Sequence, residues 1–151
     1  MNRKLLFGLV AASLIPASVA LACGSDCGCH HDEAASATHE AFKRVTVAQV
    51  AALQKAKQAH LFDANTPEFR AKNGTIAGAT LLSSSSGYDL SVLPASKGSK
   101  LVFFCANTKC LASHAAAKRA VAAGYTDVSV LPDGLLGWRA AGEPVVNAPK
   151  S

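Results

Sequence analysis

The chain predicts an α/β domain with a mostly parallel central sheet flanked by helices. Two patterns predict it. Short apolar runs alternate with helix-period segments between about residues 42 and 147, the chain order of βαβ units. Chemically active side chains also stand where two of those runs end: Asp63 follows His60-Leu61-Phe62, and Cys105 follows Leu101-Val102-Phe103-Phe104. Open α/β sheets gather their reactive groups beyond the strand C-termini.

The elements follow in order. Thr46 is placed to cap a helix over residues 47–53, with Val47, Val50 and Leu53 on one face. His60 to Ala64 reads as a short strand, and Pro67 opens a short helix at its first turn. Asn73-Gly74 is a turn, and Ile76 to Leu81 leads into the next strand. Ser83 to Gly87 is a loop. Leu101 to Cys105 is the most buried-looking strand, and Ser113 to Ala123 is a helix stopped by Gly124. Asp127 to Leu131 is a further strand, and Leu135 to Arg139 a last short helix.

The domain is preceded by two other segments. Asn2-Arg3-Lys4 is basic, Leu5 to Ala20 is mostly apolar, and Ala20-Leu21-Ala22 forms an A-x-A cleavage site, so residues 1–22 read as an export signal. The apolar part is short for a membrane span, which needs roughly 20 residues. Val19-Ala20-Leu21-Ala22-Cys23 also resembles a bacterial lipoprotein box, although Ala20 stands where Leu is usual. On that reading Cys23 carries lipid, and Gly24 after it gives no signal for inner-membrane retention. Ordinary cleavage makes the same N-terminus without lipid. The expected location is therefore the bacterial periplasm, either free or lipid-anchored to the outer membrane.

Residues 23–41 read as a polar tether containing Cys23, Cys27, Cys29, His30 and His31. Thiolates and imidazoles suit Cu(I) or Zn(II), so Cys27, Cys29, His30 and His31 are candidate ligands. Their spacing matches no standard zinc finger, and a plain tether is the competing reading. The domain spans 42–147 and a short tail 148–151. Without the signal the chain keeps 13 of its 15 basic residues and all 10 acidic ones, a net charge of +3. No basic stripe with interleaved aromatics appears, which argues against nucleic acid as a partner. Five cysteines in an exported chain make an oxidising compartment relevant, and the odd count leaves one unpaired or lipidated.

The order of short motifs resembles the rhodanese-like domain over roughly residues 43–146. Leu61-Phe62-Asp63-Ala64-Asn65 is similar to the family's "L-I-D-V-R" strand, and Glu68-Phe69 with Gly74-Thr75-Ile76-Ala77-Gly78-Ala79 to its "E-F…G-H-I-x-G-A" segment. Ser113-His114-Ala115-Ala116-Ala117 matches "S-x-x-A-A", and Gly124-Tyr125-Thr126-Asp127-Val128 matches "G-Y-x-x-V". Gly134 to Trp138 and Ala141 to Val145 match "G-G-x-x-G-W" and "A-G-x-P-V". Cys105 falls at the family's catalytic cysteine. Asn65 replaces the usual Arg, Thr75 the usual His, and Asp133 the first Gly of the pair. Cys105 to Ala112 is eight residues, where a single-domain member usually has six before the Ser. A C-x4-C loop like Cys105 to Cys110 also occurs in rhodanese-like proteins.

The resemblance implies sulfane-sulfur transfer with no required cofactor. Cys105 thiolate takes the outer sulfur of a small donor as a persulfide and passes it to a thiol or a cyanide-like acceptor. The loop Ala106, Asn107, Thr108 and Lys109 is expected to aim N–H groups at the sulfur, the following helix N-terminus to favour its thiolate, and Lys109 to attract an anionic donor. Asp63 is expected to shape the site through hydrogen bonds to loop backbone. Cys110 is either a resolving thiol, a disulfide partner or a packing residue. Two further functions compete: a thiol–disulfide protein using Cys105 and Cys110, and a non-catalytic scaffold with a metal-binding tail. The scaffold reading requires Cys105→Ser to be silent while changes at Cys27, Cys29 and His30 are not. Sequence leaves the oligomeric state open.

Overall fold

A computed structural model describes residues 41–148. The signal, Cys23, the candidate ligands Cys27, Cys29, His30 and His31, and the last three residues lie outside them. Among the described residues no helix is long and apolar enough to cross a membrane.

The elements run β1 (Lys43–Arg44), α1 (Val47–Lys55), β2 (His60–Asp63), α2 (Pro67–Asn73), β3 (Thr75–Ile76), β4 (Thr80–Leu81), a 3-10 turn (Leu90–Val92), β5 (Leu101–Phe104), α3 (Ala112–Ala122), β6 (Val128–Leu131), α4 (Gly134–Ala140) and β7 (Val145–Val146). Five strands form a parallel sheet in the order β1-β6-β5-β2-β4, and β3 pairs antiparallel with β7 in a separate ribbon. The predicted fold class is the observed one.

β5 is the centre of the sheet, and all four of its residues are buried. Its alternate side chains serve two cores, as a strand covered on both faces must. Leu101 and Phe103 pack with Tyr88, Ala116, Ala117 and Ala120 on the α3 side. Val102 and Phe104 pack with Val50, Leu61, Leu135 and Trp138 on the other side. The small alanines let α3 lie close to the sheet. Thr46 caps α1 as expected, and Gln49 closes a capping box by accepting from the Thr46 N–H at 2.9 Å.

Residues 76–81 lead into a strand, β4, as expected, but Ile76 also ends a separate strand, β3, in the other sheet. Gly78 has φ +76, a left-handed conformation open to glycine, and Ala79 N–H donates back to the Ile76 carbonyl. That turn ends β3 and redirects the chain into β4. β1 and β7 have two residues each and were not anticipated, because such short strands carry no periodicity and exist only through their partners.

A buried cation locks the C-terminal ends of the strands. Arg70 Nη1 on α2 donates to the carbonyls of Asp63 (3.4 Å), Asn65 (2.6 Å) and Leu82 (3.2 Å). The side chain thereby satisfies three carbonyls next to the site. Arg70→Met is expected to lower stability by about 2–4 kcal/mol, read as a fall in Tm, because those carbonyls lose a charged donor.

Tyr88 fills the α3 side of the core and its hydroxyl donates to the Ala116 carbonyl at 2.9 Å. Burial pushes its pKa up to about 12. The folded state therefore holds a proton that the unfolded chain releases near pH 10. This contribution is fully present below about pH 10 and is lost as pH rises towards 12. Tyr88→Phe is expected to flatten the fall of Tm with pH across that window.

Candidate active site

Cys105 is the first residue after β5, and the loop from Ala106 to Leu111 carries the chain into α3. The loop is clamped from below by α4. Leu135 N–H donates to the Cys105 carbonyl at 2.8 Å and Leu136 N–H to the Ala106 carbonyl at 3.0 Å. These N–H groups at the start of α4 have no intrahelical partner, so the loop supplies one. Gly134 makes the close approach workable: its φ is +59, and an added Cβ would overlap the Cys105 carbonyl oxygen and lie 2.6 Å from the Ala106 carbonyl carbon. A planar trans peptide points its N–H opposite its C=O. With the Cys105 carbonyl tied to α4, the Ala106 N–H faces the other way, into the loop.

Beyond Ala106 the loop folds back in a turn. Asn107 Oδ1 accepts from the Lys109 N–H at 3.0 Å, and the Asn107 carbonyl accepts from the Cys110 N–H at 3.0 Å. Thr108 and Lys109 are exposed at its tip, while Ala106, Asn107 and Cys110 are half-buried. The turn brings Cys110 over Cys105. Cys105 Sγ donates to the Cys110 carbonyl oxygen at 3.0 Å and lies 3.3 Å from Ser113 Oγ. Both thiols are free.

The two sulfurs are electrostatically unlike. Cys105 is 1% exposed, and burial pushes its thiol up; the contact with Cys110 adds to that, and the Ser113 hydroxyl and N–H offset only part. Burial also pushes Cys110 up, but the Cys105 thiol and the N–H groups of Ala106 and Ala112 outweigh it and hold Cys110 below the usual thiol value. Ala112 is the first residue of α3, whose N-cap, Leu111, offers no side-chain cap. Cys110 stands just before that N-terminus, whose positive end favours its thiolate. Of the loop N–H groups expected to stabilise an anion at Cys105, that of Ala106 instead lowers the Cys110 thiol.

Asp63 ends β2, the neighbour of β5. It is fully buried; Oδ1 accepts from the Asn65 N–H at 2.8 Å and Oδ2 from Thr75 Oγ1 at 2.6 Å. It braces the β2–α2 turn to β3, and its bonds run to that turn and not to the cysteine loop. Thr75, where the family has His, is thus the carboxylate's hydroxyl partner. The Asn65 amide nitrogen, at the family's Arg position, is buried without a partner. Ser113, Gly134 and Arg70 matter to the site and were not singled out from sequence. Ser113 and Gly134 lie in the motifs quoted above, while Arg70 gave no signal because a charged residue on a short helix reads as solvated.

Comparison with known proteins agrees with this architecture. A model of the rhodanese-like domain matches residues 46–141, and the chain belongs to that family. A Rhodopseudomonas palustris protein of unknown function, described as a possible tyrosine phosphatase, is 27% identical with a TM-score of 0.60, covering 72% of this chain and 87% of that one. The rhodanese-like domain of an Anabaena protein is 19% identical with a TM-score of 0.59, covering 72% of this chain and 81% of that one. A human single-domain sulfurtransferase is 24% identical with a TM-score of 0.52, covering 64% of this chain and 95% of that one. Among curated proteins none matches the chain.

Proposed function

We propose that this chain is an exported sulfurtransferase that moves sulfane sulfur through a persulfide on Cys105. The observation that carries the reading is the position of Cys105 in a rhodanese-like domain: the end of the central strand, beneath a loop clamped between α3 and α4. The export part rests on the signal-like residues 1–22 alone. The donor is a small sulfur compound, and the acceptor a thiol or a cyanide-like nucleophile. Cys105 attacks the outer sulfur of the donor; the donor's inner bond breaks, and its remaining fragment leaves with the thiol proton. Because Cys105 is 1% exposed, donor access requires local opening of the structure around it.

A phosphatase reading is disfavoured, because Ala106 to Ala112 contains no arginine to bind phosphate in a bidentate manner. Thiol–disulfide exchange without sulfur uptake is the second reading, favoured by two free thiols in neighbouring residues, with Cys105 Sγ 3.0 Å from the Cys110 carbonyl oxygen. The test is turnover of thiosulfate and of inorganic polysulfide with cyanide and with small thiols. The proposal expects transfer from at least one donor and none from Cys105→Ser; equal turnover in both proteins defeats it.

A further inference from the structure

Backbone N–H groups beside Cys105 that favour an anionic sulfur act on the chain's own Cys110. In a sulfur carrier the loop N–H groups are needed for the terminal sulfur, which bears the negative charge. Here the Ala106 N–H is directed into the loop by the α4 clamp on the Cys105 carbonyl, and the Ala112 N–H starts an 11-residue helix. Both help to hold the Cys110 thiol below its ordinary value. The Asn107–Cys110 turn brings Cys110 against Cys105, whose Sγ lies 3.0 Å from the Cys110 carbonyl oxygen. Cys110 is also half-buried, so solvent thiols reach it where they do not reach Cys105.

We propose that Cys110 is the resolving nucleophile of this site, so that sulfur taken up by Cys105 is expelled as sulfide. The inference rests on the sulfur-uptake reading above. In the step, the Cys110 thiolate attacks the Cys105 sulfur of the persulfide. A Cys105–Cys110 bond forms, the bond to the outer sulfur breaks, and HS⁻ leaves with the electron pair. The two cysteines are oxidised to a disulfide and the donor's sulfane sulfur is reduced to sulfide. An external dithiol or low-molecular-weight thiol then reduces the disulfide through the half-buried Cys110 sulfur. The lowering of the Cys110 thiol below its ordinary value supports the assignment, since it favours the nucleophilic thiolate. The spacing is permissive, as C-x4-C cysteines can bridge when the backbone folds back on itself.

The test is stoichiometric. The full mature chain, reduced and freed of reductant, is given one equivalent of inorganic polysulfide, and released sulfide and linkage of the two cysteines are followed together. Trypsin separates the thiols, because Lys109 lies between them: Cys105 falls in 101–109 and Cys110 in 110–118. Wild type is expected to release one sulfide per chain and to link the two peptides, with loss of about 2 Da. Cys110→Ser is expected to slow that release at least about tenfold and to retain sulfur on 101–109. A wild type that keeps its sulfur on Cys105, or a Cys110→Ser protein that releases sulfide at the wild-type rate, overturns the inference and leaves the sulfurtransferase reading intact. Failure of both proteins to take up sulfur overturns the sulfurtransferase reading and this step with it.

Discussion

Cys105→Ser is expected to reduce sulfur transfer by at least about 10³-fold while leaving the fold intact. The substitution is nearly isosteric, and a serine hydroxyl can still donate to the Cys110 carbonyl and meet Ser113 Oγ, so stability should change by no more than about 1 kcal/mol. The hydroxyl does not ionise near neutral pH and cannot hold sulfur as a persulfide, so both halves of the cycle are lost. Turnover assays paired with a thermal melt separate these effects. A variant that melts with wild type yet has no turnover fits the account. One that retains turnover moves the chemistry away from Cys105.

Gly134→Ala is expected to be as damaging, by a different route. The residue has φ +59, and its added Cβ would meet backbone atoms of Cys105 and Ala106, which cannot rotate away as a side-chain tip could. The strained conformation alone costs about 1–3 kcal/mol. Relief of the clash requires α4 to separate from the loop, which breaks the Leu135 and Leu136 bonds to the Cys105 and Ala106 carbonyls. The Ala106 N–H then loses its fixed direction, so Cys110 loses one of the donors that lower its pKa. The expected result is a loss of about 3 kcal/mol or more in stability, together with slower alkylation of Cys110 at neutral pH in whatever protein remains folded. Unchanged alkylation in a folded variant would show that the α4 clamp does not set the Ala106 N–H.

The fold was readable where the sequence repeats a physical signal. The Leu101–Phe104 run, the Thr46 cap and the Gly124 stop each rest on local chemistry, and each has its expected place. β1, β7 and the division of β3 from β4 rest on tertiary pairing, or on one glycine's backbone angle, and a two-residue strand has no pattern to read. At the site, Cys105 and Cys110 stood out because a thiol at a strand end is uncommon in type and position. Which of them is pushed up and which held down in pKa was not readable. It depends on the Cys105 carbonyl being claimed by α4, about 30 residues further along the chain, and on the turn that lays Cys110 across the buried thiol. Arg70 was missed for a related reason: its three carbonyl partners come from the end of β2, the turn after it and the residue following β4, which only the fold brings together.

The most direct test of a Cys105 persulfide uses the Cys110→Ser protein, in which no second thiol of the loop can remove the sulfur. After polysulfide, the protein is trapped with iodoacetamide and digested with trypsin, and peptide 101–109 is weighed. The account predicts a gain of about 32 Da, one sulfur atom, on Cys105 beneath the alkyl group. Peptide 101–109 alkylated without added sulfur at every donor concentration would contradict it, and would leave the Cys105–Cys110 pair as a thiol–disulfide couple.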